Sequence, residues 1–223
     1  MSTAHVFISQ VSDGNMYIPD DQENQEVISN RTTFFNKHTL SIDDASRVNV
    51  LFEGDDYRRY LEVDDSYKGK GMRGNDITPA DALITRSSGH ALFLPLADCV
   101  GMVVHDPDHH VLMLSHVGRH SLEQNGAYTS IEHLKNAYHS DPAHLSVWLT
   151  PAPGQKNYPV YAFGGRDFKE IVFEQLDLAG VPRENITNDS SDSTTDERFF
   201  SHSEYLAGRR KSDGRYGIIA TMV

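Results

Sequence analysis

A thiol and an imidazole carried on neighbouring strands can serve as two metal ligands or as a nucleophile and its base. This chain places its only cysteine where a histidine can meet it. Cys99 closes the run Pro95-Leu96-Ala97-Asp98-Cys99, and His116 lies in Leu114-Ser115-His116-Val117-Gly118-Arg119-His120. Two apolar runs, Gly101-Met102-Val103-Val104 and Val111-Leu112-Met113-Leu114, flank the turn-prone Asp106-Pro107-Asp108-His109, which is the pattern of a β-hairpin. A loop of two or four residues centred on Pro107-Asp108 sets Cys99 opposite His116, with Cβ atoms about 4.5–5.5 Å apart. The pairing depends on register, because a slip of one residue sends the two side chains to opposite faces. An apolar setting alone would make Cys99 an inert small hydrophobe. A catalytic zinc site takes three protein ligands and leaves a fourth position open, and the metal brings the pKa of its bound water to about 7.

Other residues bear on the same chemistry. His120 follows His116 by four positions, about 13 Å along a strand. It joins the site if the chain turns at Gly118, and otherwise starts the next helix. His105, His109 and His110 lie at or beside the turn, where solvent exposure is expected of them. The run Arg209-Arg210-Lys211-Ser212-Asp213-Gly214-Arg215 is the one dense basic cluster, and arginine forks match phosphate oxygens bidentately. Lys211 reads as solvated; Arg215, between a glycine turn and a strand, is the one placed to point inward. Phe199-Phe200-Ser201-His202 just upstream offers an aromatic wall or a piece of core.

The elements that must position these groups follow from periodicity. A helix is expected over 20–38, started by Asp20-Asp21 and carrying Val27, Ile28, Phe34 and Phe35. Strands are expected at 48–52, 60–63, 82–85 and 91–94, with 68–74 as a mobile loop. On the hairpin, Val100, Met102, Val104, Val111 and Met113 share one face, and Val103, Leu112 and Leu114 share the other with Cys99 and His116. Apolar residues on both faces require cover on both sides. A helix over 121–138, a strand at 145–149, a short extended piece at 160–163, an amphipathic helix over 166–179, an acidic surface loop at 187–197 and a closing strand at 216–222 complete the reading. Together they describe one α/β domain over 1–223 with a mixed, largely antiparallel sheet covered by helices. No internal repeat, glycine-rich dinucleotide loop or P-loop is present.

Composition narrows the function classes. The chain has 223 residues, 38% of them hydrophobic, and a formal net charge of −12, so it has no general basic field for nucleic acid. An anionic ligand needs a local basic pocket. No apolar stretch reaches the roughly 18 residues of a membrane span, and the N-terminus lacks a basic segment followed by an apolar core. A single cysteine excludes an internal disulfide and suits a reducing cytoplasm.

Asp81-Ala82-Leu83-Ile84-Thr85, then Ala97-Asp98-Cys99, then His116-Val117-Gly118 resemble, in order and spacing, the YfiH family, also called laccase-domain or polyphenol oxidoreductase proteins. Weaker similarity runs from Asp13-Gly14-Asn15-Met16 to the last strand, through Asn30-Arg31, Leu149-Thr150-Pro151-Ala152 and Asp213-Gly214-Arg215. The resemblance implies an α/β fold grouped with cysteine deamidase toxins. It also implies a zinc ion held by two histidines and a cysteine, and phosphorolysis or deamination of purine nucleosides. On this chain the zinc ligands would be Cys99, His116 and, at the place of the first histidine, Glu53 in Phe52-Glu53-Gly54; Glu53 would be the third ligand or a general base. Arg209, Arg210, Arg215, His120 and Ser201 would hold phosphate or ribose oxygens.

Several motifs depart from the family pattern. The His-Ala-Gly-Trp-Arg-Gly motif becomes His116-Val117-Gly118-Arg119-His120-Ser121, and the cysteine-threonine pair becomes Ser193-Thr194. The terminal serine-aromatic-arginine motif is stretched into Ser201-His202-Ser203-Glu204. Copper is also acceptable to a thiolate and an imidazole, and a metal-free site is open. Two rival expectations follow: a thiol hydrolase or deamidase using Cys99 and His116, and a nucleoside-binding protein without catalysis. A multi-copper centre is not expected, because the chain has no His-x-His pair and one cysteine.

Overall fold

A computed structural model describes residues 3–18, 24–52, 54–74 and 77–223. In chain order its elements are β1 (Ala4–Ile8), α1 (Gln25–Lys37), β2 (Ala45–Arg47), β3 (Tyr60–Glu62), β4 (Ala82–Thr85), β5 (Ala91–Leu96), β6 (Val100–Asp106) and β7 (Val111–Val117). There follow α2 (Arg119–Glu123), α3 (Gly126–Tyr138), β8 (Ser146–Leu149), α4 (Phe168–Leu178), β9 (Ile186–Asn188), α5 (His202–Leu206) and β10 (Tyr216–Met222).

The strands form two sheets, ordered β1-β10-β5-β2 and β3-β4-β7-β6-β8-β9. Five pairings are antiparallel and three are parallel. The mixed, largely antiparallel α/β class is therefore present, divided between two sheets. Side chains from β5 and β10 (Leu92, Leu94, Ile218, Ala220) meet Leu83, Val103, Leu112 and Leu114 in a core between them. The outer face of the larger sheet packs Met102, Val104 and Met113 against Ile131, Leu134, Ile171 and Val172 of α3 and α4. The outer face of the smaller sheet packs Phe93 and Ile219 against Phe34 and Phe35 of α1. This order of layers explains why β6 and β7 are apolar on both faces and buried along their full length. His105, expected to face solvent, instead belongs to the buried strand β6.

Local chemistry sets the helix limits. In α4, Phe168, Ile171, Val172, Gln175 and Leu176 form the buried stripe, and the Asp167 side chain accepts from the Lys169 and Glu170 amides at the start. In α1 the cap is Asn24, whose side chain accepts from the Val27 amide; Asp20 and Asp21 lie outside the described residues. The buried stripe of α1 includes Arg31, fully buried, whose guanidinium donates to the Met16, Gly71 and Met72 carbonyls. Those bonds pin part of the 68–74 segment that reads as mobile from its glycines, and Met72 there is fully buried. The helix expected over 121–138 is two helices, because Asn125 adopts a left-handed φ of 58° between α2 and α3.

Residues 48–52 do not join a sheet. Val48 donates to the Phe93 carbonyl and Asn49 accepts from the Ala80 amide, after which the segment leaves the sheet edge. Its apolar side chains line a cavity instead of a strand partner.

Candidate functional site

The β6–β7 hairpin pairs Val100 with Val117, Gly101 with His116 and Asp106 with Val111. Cys99 is thus not directly opposite His116 as the sequence register predicts. The four-residue turn is Pro107 to His110, because Asp106 stays in the strand and its carboxylate accepts from the Asp108 and His109 amides. His110 then turns back with a φ of 56°. A shift of two positions preserves the faces, so Cys99 and His116 remain on one side as diagonal neighbours, separated by the bare Cα of Gly101.

Cys99 is presented by the tight turn between β5 and β6. Asp98 takes a φ of 60° there, a left-handed conformation that aspartate tolerates better than most residues. Its buried carboxylate accepts from the Ser193 hydroxyl at 3.1 Å and the Ser203 amide at 2.7 Å. Two distant segments therefore fix the turn. The His116 amide donates to the Asp81 carbonyl at 2.8 Å, and its ring meets Phe52 edge-on at 5.8 Å.

Gly118 opens the space between the two groups. A Cβ there would lie 2.7 Å from His116 Cε1, 3.3 Å from Cys99 Sγ and 3.4 Å from His116 Nε2. Thiol and imidazole thus border one small space that only glycine leaves vacant. No hydrogen bond joins them, and His116 Nδ1 is buried without a partner. Burial, reinforced by the charge of Asp98, pushes the Cys99 thiol up to about 12. Burial likewise brings His116 down to about 4.

Both residues open on a cavity of about 830 Å³. Arg215 also lines it, braced over the Tyr17 ring at 5.5 Å. Three further lining residues carry chemistry that sequence reading did not assign: Arg47, Tyr158 and His202. Arg47 is nearly fully buried, donates to the Gly71 carbonyl at 3.0 Å, and is brought down to about 10 by burial. Nothing local in the sequence marks Arg47 or Tyr158, which reach the cavity only through long-range pairing. Asp213, eleven residues beyond His202, is the one available signal for the latter.

The other candidates lie elsewhere. His120 stacks on Tyr57 at 5.3 Å and lines, with Asp55 and Glu123, a smaller pocket of about 400 Å³ that meets the larger cavity only at Phe52. Ser201 is the buried cap of α5, accepting from the Glu204 amide. Arg209 is held by Glu204 through bonds of 2.5 and 2.6 Å, and Arg210 points to the Ser193 and Thr194 carbonyls. None of these four lines the larger cavity. Glu53 lies outside the described residues.

A family model described as multi-copper polyphenol oxidoreductase laccase matches residues 6–223. No curated protein matches the chain. Among solved structures, the Bacillus licheniformis hypothetical protein YfiH is similar at 22% identity, covering 93% of this chain and 85% of that one, with a TM-score of 0.81. YlmD from Geobacillus stearothermophilus is also 22% identical, over 99% of this chain and 91% of its own, with a TM-score of 0.81. The Neisseria meningitidis protein NMB0706 is 15% identical over 93% and 86%, with a TM-score of 0.69.

The family description implies copper, but among the described residues no three His, Cys, Asp or Glu side chains group to hold a metal ion. Among the described residues the donors beside the cavity, one thiol and one buried imidazole, do not fit a multi-copper centre. A thiol and an imidazole bordering the space beside Gly118 do fit two positions of a mononuclear zinc site. The layered fold, its agreement with the YfiH and YlmD structures and the near-complete span of the match lead to one assignment: the chain belongs to the multi-copper polyphenol oxidoreductase laccase family, the YfiH or laccase-domain proteins.

Proposed function

We propose that this chain is an enzyme that cleaves C–N bonds of purine nucleosides, by phosphorolysis, deamination or both, in the cavity bordered by Cys99 and His116. The observation that carries this reading is the space beside Gly118, shared by Sγ and Nε2 at the edge of a cavity large enough for a nucleoside. Zinc would be held by Cys99 and His116, with Glu53 as third ligand or general base. When bound, it supplies a Lewis acid that activates an oxygen nucleophile.

The chain's own groups do the rest. Arg215 offers a cation to phosphate or ribose oxygens, with its position set by Tyr17 beneath and by a hydrogen bond from its backbone N–H to Asn15 Oδ1 at 2.9 Å. Leu51 and Phe52 form the apolar side of the cavity mouth, 39% and 65% exposed, where a purine ring can cover them and shed water. The rival thiol-hydrolase reading needs thiol and imidazole in hydrogen-bond contact, and this arrangement lacks that bond.

Incubation with adenosine, with and without phosphate, tests the reading. Adenine plus ribose phosphate marks phosphorolysis, and inosine marks deamination. Absence of both products, with rapid alkylation of Cys99 at neutral pH, would favour the thiol enzyme instead.

A further inference from the structure

His202 lies in the cavity wall with Ser203, Leu206 and Arg215, and the reading above leaves it without a role. Its Nδ1 lies 3.0 and 3.1 Å from the two carboxylate oxygens of Asp213. Asp213 is itself held, because its Oδ1 accepts from the Gly214 amide at 2.9 Å and from Arg215 at 2.9 Å. A carboxylate on Nδ1 keeps the proton there, fixes the ring and leaves the Nε2 lone pair at the far end. Among the described residues Nε2 has no hydrogen-bond partner. The next residue, Ser203, donates its amide to Asp98, which immediately precedes Cys99. The histidine, its orienting carboxylate and the thiol turn therefore belong to one braced wall.

We propose that His202 is the proton-transfer group of the reaction in this cavity, with Asp213 as its positioning residue. The proposal rests on the nucleoside reading. Phosphorolysis and deamination both exchange a C–N bond for a C–O bond. His202 Nε2 takes the proton from the O–H of the attacking phosphate or water as the C–O bond forms. It returns that proton to the departing nitrogen, which keeps the electron pair of the broken C–N bond. The imidazole ends as it began, and no other reactant is required.

Steady-state kinetics on adenosine with wild type, His202→Gln, His202→Ala and Asp213→Asn test this. The His202 side chain is 41% exposed, so its replacement leaves the core intact. His202→Gln should lower kcat by about 10²–10⁴-fold with KM little changed. Added imidazole should restore part of the activity of His202→Ala. Asp213→Asn should lower kcat less and move the acid limb of the pH profile. An active wild type with His202→Gln equal in kcat would overturn the role of His202 alone. A wild type silent toward nucleosides, with and without phosphate, would overturn the nucleoside reading and this role with it.

Discussion

Arg59 places three hydrogen bonds on the carboxylate of Asp81: from its amide at 2.9 Å, from Nε at 2.8 Å and from a terminal nitrogen at 3.0 Å. The same guanidinium donates to the Leu51 carbonyl at 3.0 Å, and the Asp81 carbonyl accepts from the His116 amide. One ion pair therefore positions both the apolar mouth of the cavity and the imidazole within it.

Asp81→Asn should destabilise the fold. The carboxylate is 2% exposed and its partner a quarter exposed, so the substitution leaves a partly buried guanidinium without its counter-charge, at a cost of about 2–4 kcal/mol. Urea unfolding measures it. A loss below about 0.5 kcal/mol would show that solvent already carries the charge of Arg59.

Gly118→Ala tests the shared space directly. The backbone of Gly118 is extended, with φ −98°, so alanine meets no backbone strain. The added methyl lands between His116 and Cys99, and overpacking of this kind costs about 1–3 kcal/mol. The variant should fold, lose bound metal and lose nucleoside turnover together. Full metal content and activity in Gly118→Ala would mean that the space beside this glycine is not the site.

Much of this was legible because side-chain faces depend only on parity. Val103, Leu112 and Leu114 share a face with Cys99 and His116 whether the turn is centred on Pro107-Asp108 or, as found, on Asp108-His109. The register itself was not legible, because it depends on Asp106 capping its own turn and on the left-handed His110. Residues 48–52, Val48-Asn49-Val50-Leu51-Phe52, read as an apolar strand, yet their side chains line a cavity. Arg47, Tyr158 and His202 come to the site from three separate stretches of chain, and no local pattern announces that convergence. Glu53, between Phe52 and Gly54, remains the place where the third ligand is expected, and it lies outside the described residues.

The layered core should respond very unevenly to truncation. Phe93 is fully buried between the smaller sheet and α1, against Phe35 and under the Arg31 guanidinium. Phe93→Ala should cost about 3–5 kcal/mol. Leu178, at the end of α4 and 71% exposed, should cost less than about 0.5 kcal/mol on the same change. Thermal and urea unfolding of the pair check this; equal losses would contradict the placement of α1 on the sheet.

Acid stability offers a separate check. Hydrogen bonds from Arg209, opposed by burial, hold the Glu204 carboxyl below the usual range. The unfolded value is about 4.3, so the group stabilises the fold above that pH, and the contribution disappears as pH falls through the lower folded value. The stability gap between wild type and Glu204→Gln should be constant above about pH 5 and close below it. A gap unchanged down to strong acid would show that the ion pair carries no pH-dependent stability.

The most direct test of the whole account is the zinc content of protein purified without added metal, measured by mass spectrometry for wild type, Cys99→Ala, His116→Ala and the exposed control Leu178→Ala. Wild type and the control should carry zinc, and both ligand variants should lose it. Equal zinc in wild type and Cys99→Ala, or none in any of the four, would contradict the claim that Cys99 and His116 form a metal site.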